Sequence, residues 1–184
     1  MPNQVDLSKF NNSWYRPGNI LKRLLWYYVN VCFFKSSFVW PNLLKIHLLK
    51  LFGANVGNNI LIKPCVNIKY PWYLGLGDNV WIGEKCWIDN LGKVKIGNNV
   101  SLSQGSMLLT GNHNYKKETF DLIVGEIMLE DGVWVGAKSI VCPGLTMHSH
   151  SVLSAGSVLT RDAEAYCIYQ GNPAVKVKDR TIID

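Results

Sequence analysis

Charge and long apolar runs are both scarce in this chain. Only 17% of its 184 residues are Asp, Glu, Lys or Arg, whereas about a quarter are charged in an ordinary soluble domain. The longest apolar run, Leu24–Phe34, contains Asn30 and stops at Lys35, which is too short to span a bilayer. The opening residues, MPNQVDLSKF, lack the basic start and apolar stretch of a secretion signal. Both absences predict a cytoplasmic protein. The five cysteines (Cys32, Cys65, Cys86, Cys142 and Cys167) are odd in number, widely spaced and free of any CxxC pair. That predicts reduced thiols, mostly packed as small hydrophobes. No nucleic-acid motif is present, and the net charge of +6 is too scattered to argue for nucleic acid. It favours a phosphorylated cofactor, an acidic glycan or an anionic membrane surface.

Aliphatic side chains, by contrast, are abundant and periodic. Val56, Ile62 and Ile68 are followed by Leu76, Ile82 and Ile88, then by Ile96, Leu102 and Leu108. After a gap the series resumes at Leu129, Val135, Val141, Met147, Leu153 and Leu159. The residue after the aliphatic one is often Gly, and four positions after it comes a small or apolar residue such as Val80, Cys86, Val100 or Ser139. Sandwiches and barrels alternate with a period of two and do not hold a period of six over such a length. The repeat predicts an all-β solenoid, a parallel β-helix in which three short strands make one triangular coil. The aliphatic residues then stack along the prism axis, with Gly and Asn at the corners. Between Ile68 and Leu76, and between Ile88 and Ile96, the spacing stretches from six to eight, an extra turn at one corner.

Three segments depart from the repeat. Residues 1–52 form a leader in which Asn19–Lys35 and Pro41–Phe52 read as helices, with Leu44, Leu48 and Leu51 on one face and Lys45 and Lys50 turned away. Such helices can cap the open end of the prism, because solenoid ends need a cover. The aromatic residues Trp14, Trp26, Tyr27, Tyr28 and Trp40 beside Lys and Arg also suit a peripheral membrane contact. The repeat occupies residues 53–165, broken by an excursion at 110–127 that carries His113, and excursions from a solenoid usually lie on its binding face. The tail, residues 166–184, gathers Lys176, Lys178 and Arg180 near the Gly171-Asn172-Pro173 turn. It is either an ordinary basic tail or, with Arg161, a clamp for a phosphorylated cofactor.

Several motifs combine these features: Asn90-Leu91, SQG at Ser103–Gly105, TGNHNY at Thr110–Tyr115, EDGVWVGAKSIVCPG at Glu130–Gly144 and YQGNPAVKV at Tyr169–Val177. With them the chain resembles the hexapeptide-repeat acyltransferases, most closely those of the colanic-acid-biosynthesis type. The resemblance implies a left-handed parallel β-helix, a homotrimer, and acetyl-CoA as the donor to a sugar hydroxyl in a surface or exported polysaccharide, without a metal. It puts the catalytic base on His113, whose neutral imidazole suits proton removal near neutral pH. The oxyanion donor falls on the Ala137 N–H, with Trp134 beside it and Gly136 leaving room for the thioester. Ser154, Ala155 and Gly156 would flank the pantetheine arm. Thr160, Arg161 and Lys178 would lie near the nucleotide and its phosphates, and Asn172 and Pro173 would wall the site.

The resemblance is incomplete on the acceptor side. Galactoside acetyltransferases carry an acceptor-binding Asn where this chain has Gly83, and a tail Arg where it has Val175. Asp89 and Asn90 are the substitutes for acceptor recognition, although Asn90 equally suits a corner turn. Other readings stay open: an N-acetyltransferase on an amino sugar, a non-catalytic scaffold, or a metalloenzyme on the same prism. The last needs three converging histidines, and the chain offers His47, His113, His148 and His150. Membrane contact through the leader would suit a lipid-linked glycan acceptor.

Overall fold

The computed structural model describes residues 4–183. They form a parallel solenoid with three strand-bearing faces. The first face stacks Asn55–Val56, Leu74–Leu76, Val94–Ile96, Ile127–Leu129 and Thr146–Met147. The second begins at Leu61–Ile62 and the third at Asn67–Ile68. Val56 lies on Leu76 and Leu76 on Ile96, so an early coil takes 20 residues. Leu129 lies on Met147, so a later one takes 18. The aliphatic series points inward as the period requires, and every member from Val56 to Leu159 is buried. The small residues four positions on are buried too, Ser106, Ser139, Ser151 and Ser157 among them. Each coil thus presents two inward positions per face, too close to the axis for anything bulky or charged.

The corners follow from backbone stereochemistry. Left-handed φ recurs at Asn59, Asn79 and Asn99 on one edge and at Cys65, Lys85, Gly105, Lys138 and Gly156 on the next. Asn and Gly adopt this conformation at least cost, whereas Cys and Lys hold it only because the stacked coils dictate it. The glycine after the aliphatic residue has a different task. A Cβ on Gly77 would sit 2.7 Å from the Gly97 carbonyl carbon, and one on Gly136 would sit 2.6 Å from both Ala155 N and Leu153 O. These positions lie where one coil rests on the next, and only hydrogen fits there.

The leader caps the prism, and its polar groups explain how. Among the described residues the first coil has no strand beyond it, so its backbone groups need other partners. Helix α1 (Ile20–Val29) supplies Trp26, whose Nε1 donates to Ile68 O at 2.8 Å. The π-helical turn Asn30–Phe34 that follows brings in Asn30, which donates to Asn67. Helix α2 (Asn42–Leu51) supplies Asn42, which accepts from Ile62 N and donates to Ile60 O. Lys45 donates to the carbonyls of Ile62 and Lys63. The helical face expected from the leucines is therefore displaced. Lys45 and Leu49 are buried while Leu51 is exposed, because unpaired carbonyls on the first coil attract the ammonium more than they do a leucine. Burial pushes the Lys45 pKa below its usual value.

Both segments that depart from the repeat after the leader are ordered against the prism. The tail stays attached to the prism: Cys167–Gly171 adds to the second face beside Val152–Leu153 and turns into an antiparallel hairpin with Ala174–Asp179. The excursion is itself a hairpin, Gly111–His113 paired with Leu122–Val124, and Ile127 already belongs to the next strand of the first face.

Candidate active site

His113 ends the first strand of the excursion hairpin, at the edge between the third and first faces. Its Nδ1 lies 2.9 Å from the carbonyl oxygen of Phe120. A carbonyl only accepts, so the neutral ring carries its proton on Nδ1 and leaves the lone pair on Nε2. The Phe120 ring stacks on the imidazole at 4.5 Å and 9°, and Phe10 leans on it at 5.8 Å. The tautomer and the plane of the ring are thus both fixed by groups outside the TGNHNY motif.

Phe10 arrives because the leader does more than cap. Residues before α1 run back along the prism to the excursion: Asp6 N donates to Glu118 O, Lys9 pairs with Glu118, and Tyr15 Oη donates to Leu91 O at 2.7 Å. The strap and the prism edge enclose a cavity of about 460 Å³, lined by His113, Tyr15, Arg23, Lys69, Tyr70 and Leu91 among others. Burial, and then the neighbouring Tyr70, push the Tyr15 phenol well above its ordinary pKa, so it stays a hydrogen-bond donor. Of these residues the sequence singled out only His113 and, within the Asn90-Leu91 motif, Leu91. Tyr15 and Arg23 belong to no repeat, and their only signal was the density of aromatic and basic residues in the leader.

The acceptor candidates divide. Asp89 stands on the third face with Lys69 Nζ 3.1 Å from its Oδ1. That oxygen makes an ion pair without a well-directed hydrogen bond. Asn90 is fully buried, accepts from Tyr70 N at 3.0 Å and donates to Tyr70 O. Its amide is spent on a corner one coil away, so the turn role describes it and it leaves the acceptor site.

The donor-side candidates also divide. Gly136, Ala137, Ser154, Ala155 and Gly156 stack on the edge between the second and third faces, where Gly156 N donates to Ala137 O at 2.8 Å. The Gly171-Asn172-Pro173 turn folds onto the same edge, with Gly171 N donating to Ser157 Oγ at 3.0 Å. Trp134 lies exposed on the second face, its Nε1 donating to Ser103 Oγ. Among the described residues the Ala137 N–H donates to no other group of the chain, a property shared by Gln104 and Ala155 at the same corner position. Thr160 and Arg161, however, follow a third-face strand and lie on the His113 edge. Lys178 pairs with Ile168, away from the hairpin turn. Gly136 is occupied with coil stacking, which removes the need to assign its missing Cβ to a thioester. A single prism therefore holds His113 and Ala137 on different edges.

The histidines do not gather. His148 Nδ1 lies 3.0 Å from Glu130 and the His150 ring stacks on Tyr166 at 4.8 Å. Among the described residues no three groups converge as metal ligands.

Prism, excursion and glycine-stacked corners together define a three-faced parallel β-helix, and comparison with known proteins narrows the class. No family model matches the chain. The putative colanic acid biosynthesis acetyltransferase WcaF of Escherichia coli (strain K12) is 36% identical over 179 residues, covering 95% of this chain and 97% of the relative. A hexapeptide-repeat acetyltransferase of Vibrio cholerae, solved with acetyl coenzyme A, superposes with a TM-score of 0.78 at 19% identity, covering 88% of each chain. A galactoside acetyltransferase solved with coenzyme A gives 0.77 at 24% identity, covering 88% of this chain and 82% of that one. The chain belongs to the hexapeptide-repeat acetyltransferases, alongside the colanic acid biosynthesis enzymes. Its solenoid is the left-handed β-helix of that family.

Proposed function

We propose that this protein transfers the acetyl group of acetyl-CoA to a sugar hydroxyl during the building of a surface or exported polysaccharide. The observation that carries the reading is the His113 imidazole, its Nδ1 against the Phe120 carbonyl at the wall of a cavity of about 460 Å³. The acceptor hydroxyl, placed within hydrogen-bond reach of Nε2, attacks the thioester carbonyl while Nε2 takes its proton. Negative charge develops on the carbonyl oxygen, and the free Ala137 N–H is a fixed donor for it. Collapse breaks the carbon–sulfur bond, and the departing thiolate recovers the proton from the imidazolium. The stacked phenyl ring of Phe120 and the carbonyl behind Nδ1 hold the plane of the base through both transfers.

Because His113 and Ala137 occupy different edges, the reaction needs two subunits. A cyclic trimer in which the His113 edge of one prism faces the Ala137 edge of the next supplies both halves three times over. In that groove Ser154, Ala155 and Gly156 lie along the pantetheine arm, between Trp134 and the Asn172-Pro173 turn. Arg161, on the His113 edge, reaches the phosphates from the opposite wall, and Lys178 adds positive charge further along. We place the enzyme in the cytoplasm, where acetyl-CoA is made.

The test is acetyl-CoA turnover with candidate glycans, products being analysed for ester or amide. His113→Ala is expected to lower kcat about 10²–10⁴-fold and to leave coenzyme A affinity unchanged. A loss below about tenfold removes His113 as the base, and an amide product replaces the hydroxyl acceptor with an amine.

A further inference from the structure

The strap that closes the His113 cavity has two sides. Phe10 and Asn12 line that cavity, whereas Asn11, Ser13 and Trp14 line a separate one of about 360 Å³. The excursion hairpin divides in the same way. Residues paired directly across an antiparallel ladder share a face, and successive ones alternate. His113 pairs with Leu122 and Asn112 with Ile123, so Ile123 stands on the face turned away from His113, where it lines the second cavity. Leu122 lines both cavities, which therefore meet at the hairpin. The acetyl-transfer step draws on none of the residues peculiar to the second one.

The lining of this cavity is polar, aromatic and balanced in charge. The Trp14 indole is 57% exposed, and Tyr15 meets it at 5.7 Å in a T-shaped contact rather than a stack. Asn11 and Asn114 each spend their side-chain oxygen on a nearby backbone N–H, that of Ser13 at 2.9 Å and that of Lys116 at 3.2 Å. Among the described residues their amide nitrogens and Trp14 Nε1 donate to no group of the chain. Lys117 Nζ lies 2.9 Å from Asp121 Oδ2, and Lys9 of the strap is paired with Glu118. The Thr119 hydroxyl, and then Lys117, hold the Asp121 carboxyl below its usual pKa, so it accepts hydrogen bonds and donates none.

This combination sorts the ligand classes. A phosphate or carboxylate would need cations that are not already paired, and a wholly apolar group would strand the amides and the carboxylate. A sugar ring offers hydroxyls to the polar groups and an apolar C–H face to the indole. We infer that the cavity holds a second, uncharged sugar residue of the acceptor chain, next to the one whose hydroxyl lies at His113. The inference rests on the acetyl-transfer reading and adds that the enzyme prefers an oligosaccharide to the same sugar alone. Trp14 supplies the stacking face, Asn11 and Asn114 donate to hydroxyl oxygens, and Asp121 accepts from a hydroxyl.

A glycan array of neutral and anionic mono- and oligosaccharides, probed with the labelled protein displayed on multivalent beads, tests the inference. Neutral oligosaccharides are expected to be retained. Trp14→Ala should lower their signal about fivefold or more, and Trp14→Phe should recover most of it. Asn114→Ala is a second variant should Trp14→Ala fold poorly. The inference is overturned if no neutral oligosaccharide is retained, if anionic glycans are preferred, or if the pattern survives Trp14→Ala. Acetyl transfer then distinguishes a second residue of the acceptor from an unconnected glycan. With a retained oligosaccharide and its terminal monosaccharide as acceptors, Trp14→Ala should shrink the kcat/KM preference for the longer one about fivefold or more, chiefly through KM. Equal losses on both acceptors would reduce Trp14 to a prop for the strap and overturn the inference. If acetyl transfer depends on His113 while the array stays empty, only the second sugar site falls. If glycans are retained through Trp14 but none is acetylated, the failure lies with the acetyl-transfer reading.

Discussion

Replacing Gly136 by Ala separates two reasons for a glycine beside the candidate oxyanion donor. The added Cβ would lie 2.6 Å from Ala155 N and Leu153 O and 2.8 Å from Ser154 C. That is roughly 1 Å inside the van der Waals optimum, and all three neighbours are backbone, so none can swing away. The coils must part locally, straining the Gly136 N–Leu153 O hydrogen bond of 2.7 Å and the Gly156 N–Ala137 O bond of 2.8 Å. Overpacking of this kind costs about 1–3 kcal/mol, and a lost backbone hydrogen bond adds about 1. A loss of about 2–4 kcal/mol in urea unfolding is expected. Gly75→Ala is the control: its Cβ meets nothing within 4 Å, so it should gain about 0.4–1 kcal/mol by restricting the unfolded chain. If Gly136→Ala kept wild-type stability and lost only coenzyme A affinity, the stacking argument would be refuted and the glycine would belong to the ligand.

Asn90→Ala leaves the Tyr70 N–H and C=O without partners and should cost about 1–3 kcal/mol, with turnover per folded molecule unchanged. Wild-type stability with a tenfold fall in acceptor kcat/KM would return Asn90 to the acceptor site. Acid should loosen the edge between the first and second faces. The Glu130 pKa is lowered, chiefly by the Ser149 hydroxyl and then by His148, and that of Asp131 by the Asn98 backbone N–H. Groups with depressed folded pKa values stabilise the fold above their unfolded values and lose that contribution as pH falls through the folded ones. The Glu130→Gln, Asp131→Asn double variant should therefore be less stable than wild type at neutral pH, and the gap should close below about pH 4. A gap that is independent of pH contradicts the linkage.

How much of this was legible in the sequence depended on how far each residue's surroundings were set by the repeat. The axis of a β-helix admits only small and aliphatic side chains, so Val56 to Leu159 announced themselves. The excursion with His113 was visible as a failure of the period. Edges were countable as well: His113 and Arg161 both follow third-face aliphatics, Leu108 and Leu159, whereas Ala137 follows second-face Val135. That phase separates the donor-side residues, and family positions alone had merged them. Asn90 was ambiguous because an asparagine facing its own chain and one facing a ligand have the same composition signature. Lys45 was misplaced because its burial depends on carbonyls left open by the first coil, which no helical periodicity reveals. The strap from Asp6 to Tyr15 carries no period at all, so its hold on the excursion emerged only from contacts.

The two-subunit site can be tested by co-expressing two inactive variants, His113→Ala and Ala155→Trp, the second filling the proposed pantetheine edge. Each alone should be inactive. In randomly mixed trimers about one junction in four pairs an intact His113 edge with an intact Ala155 edge, so about a quarter of wild-type acetyl transfer is expected to return. A mixture as inactive as its components would contradict catalysis between subunits, and an active His113→Ala protein would contradict the base itself.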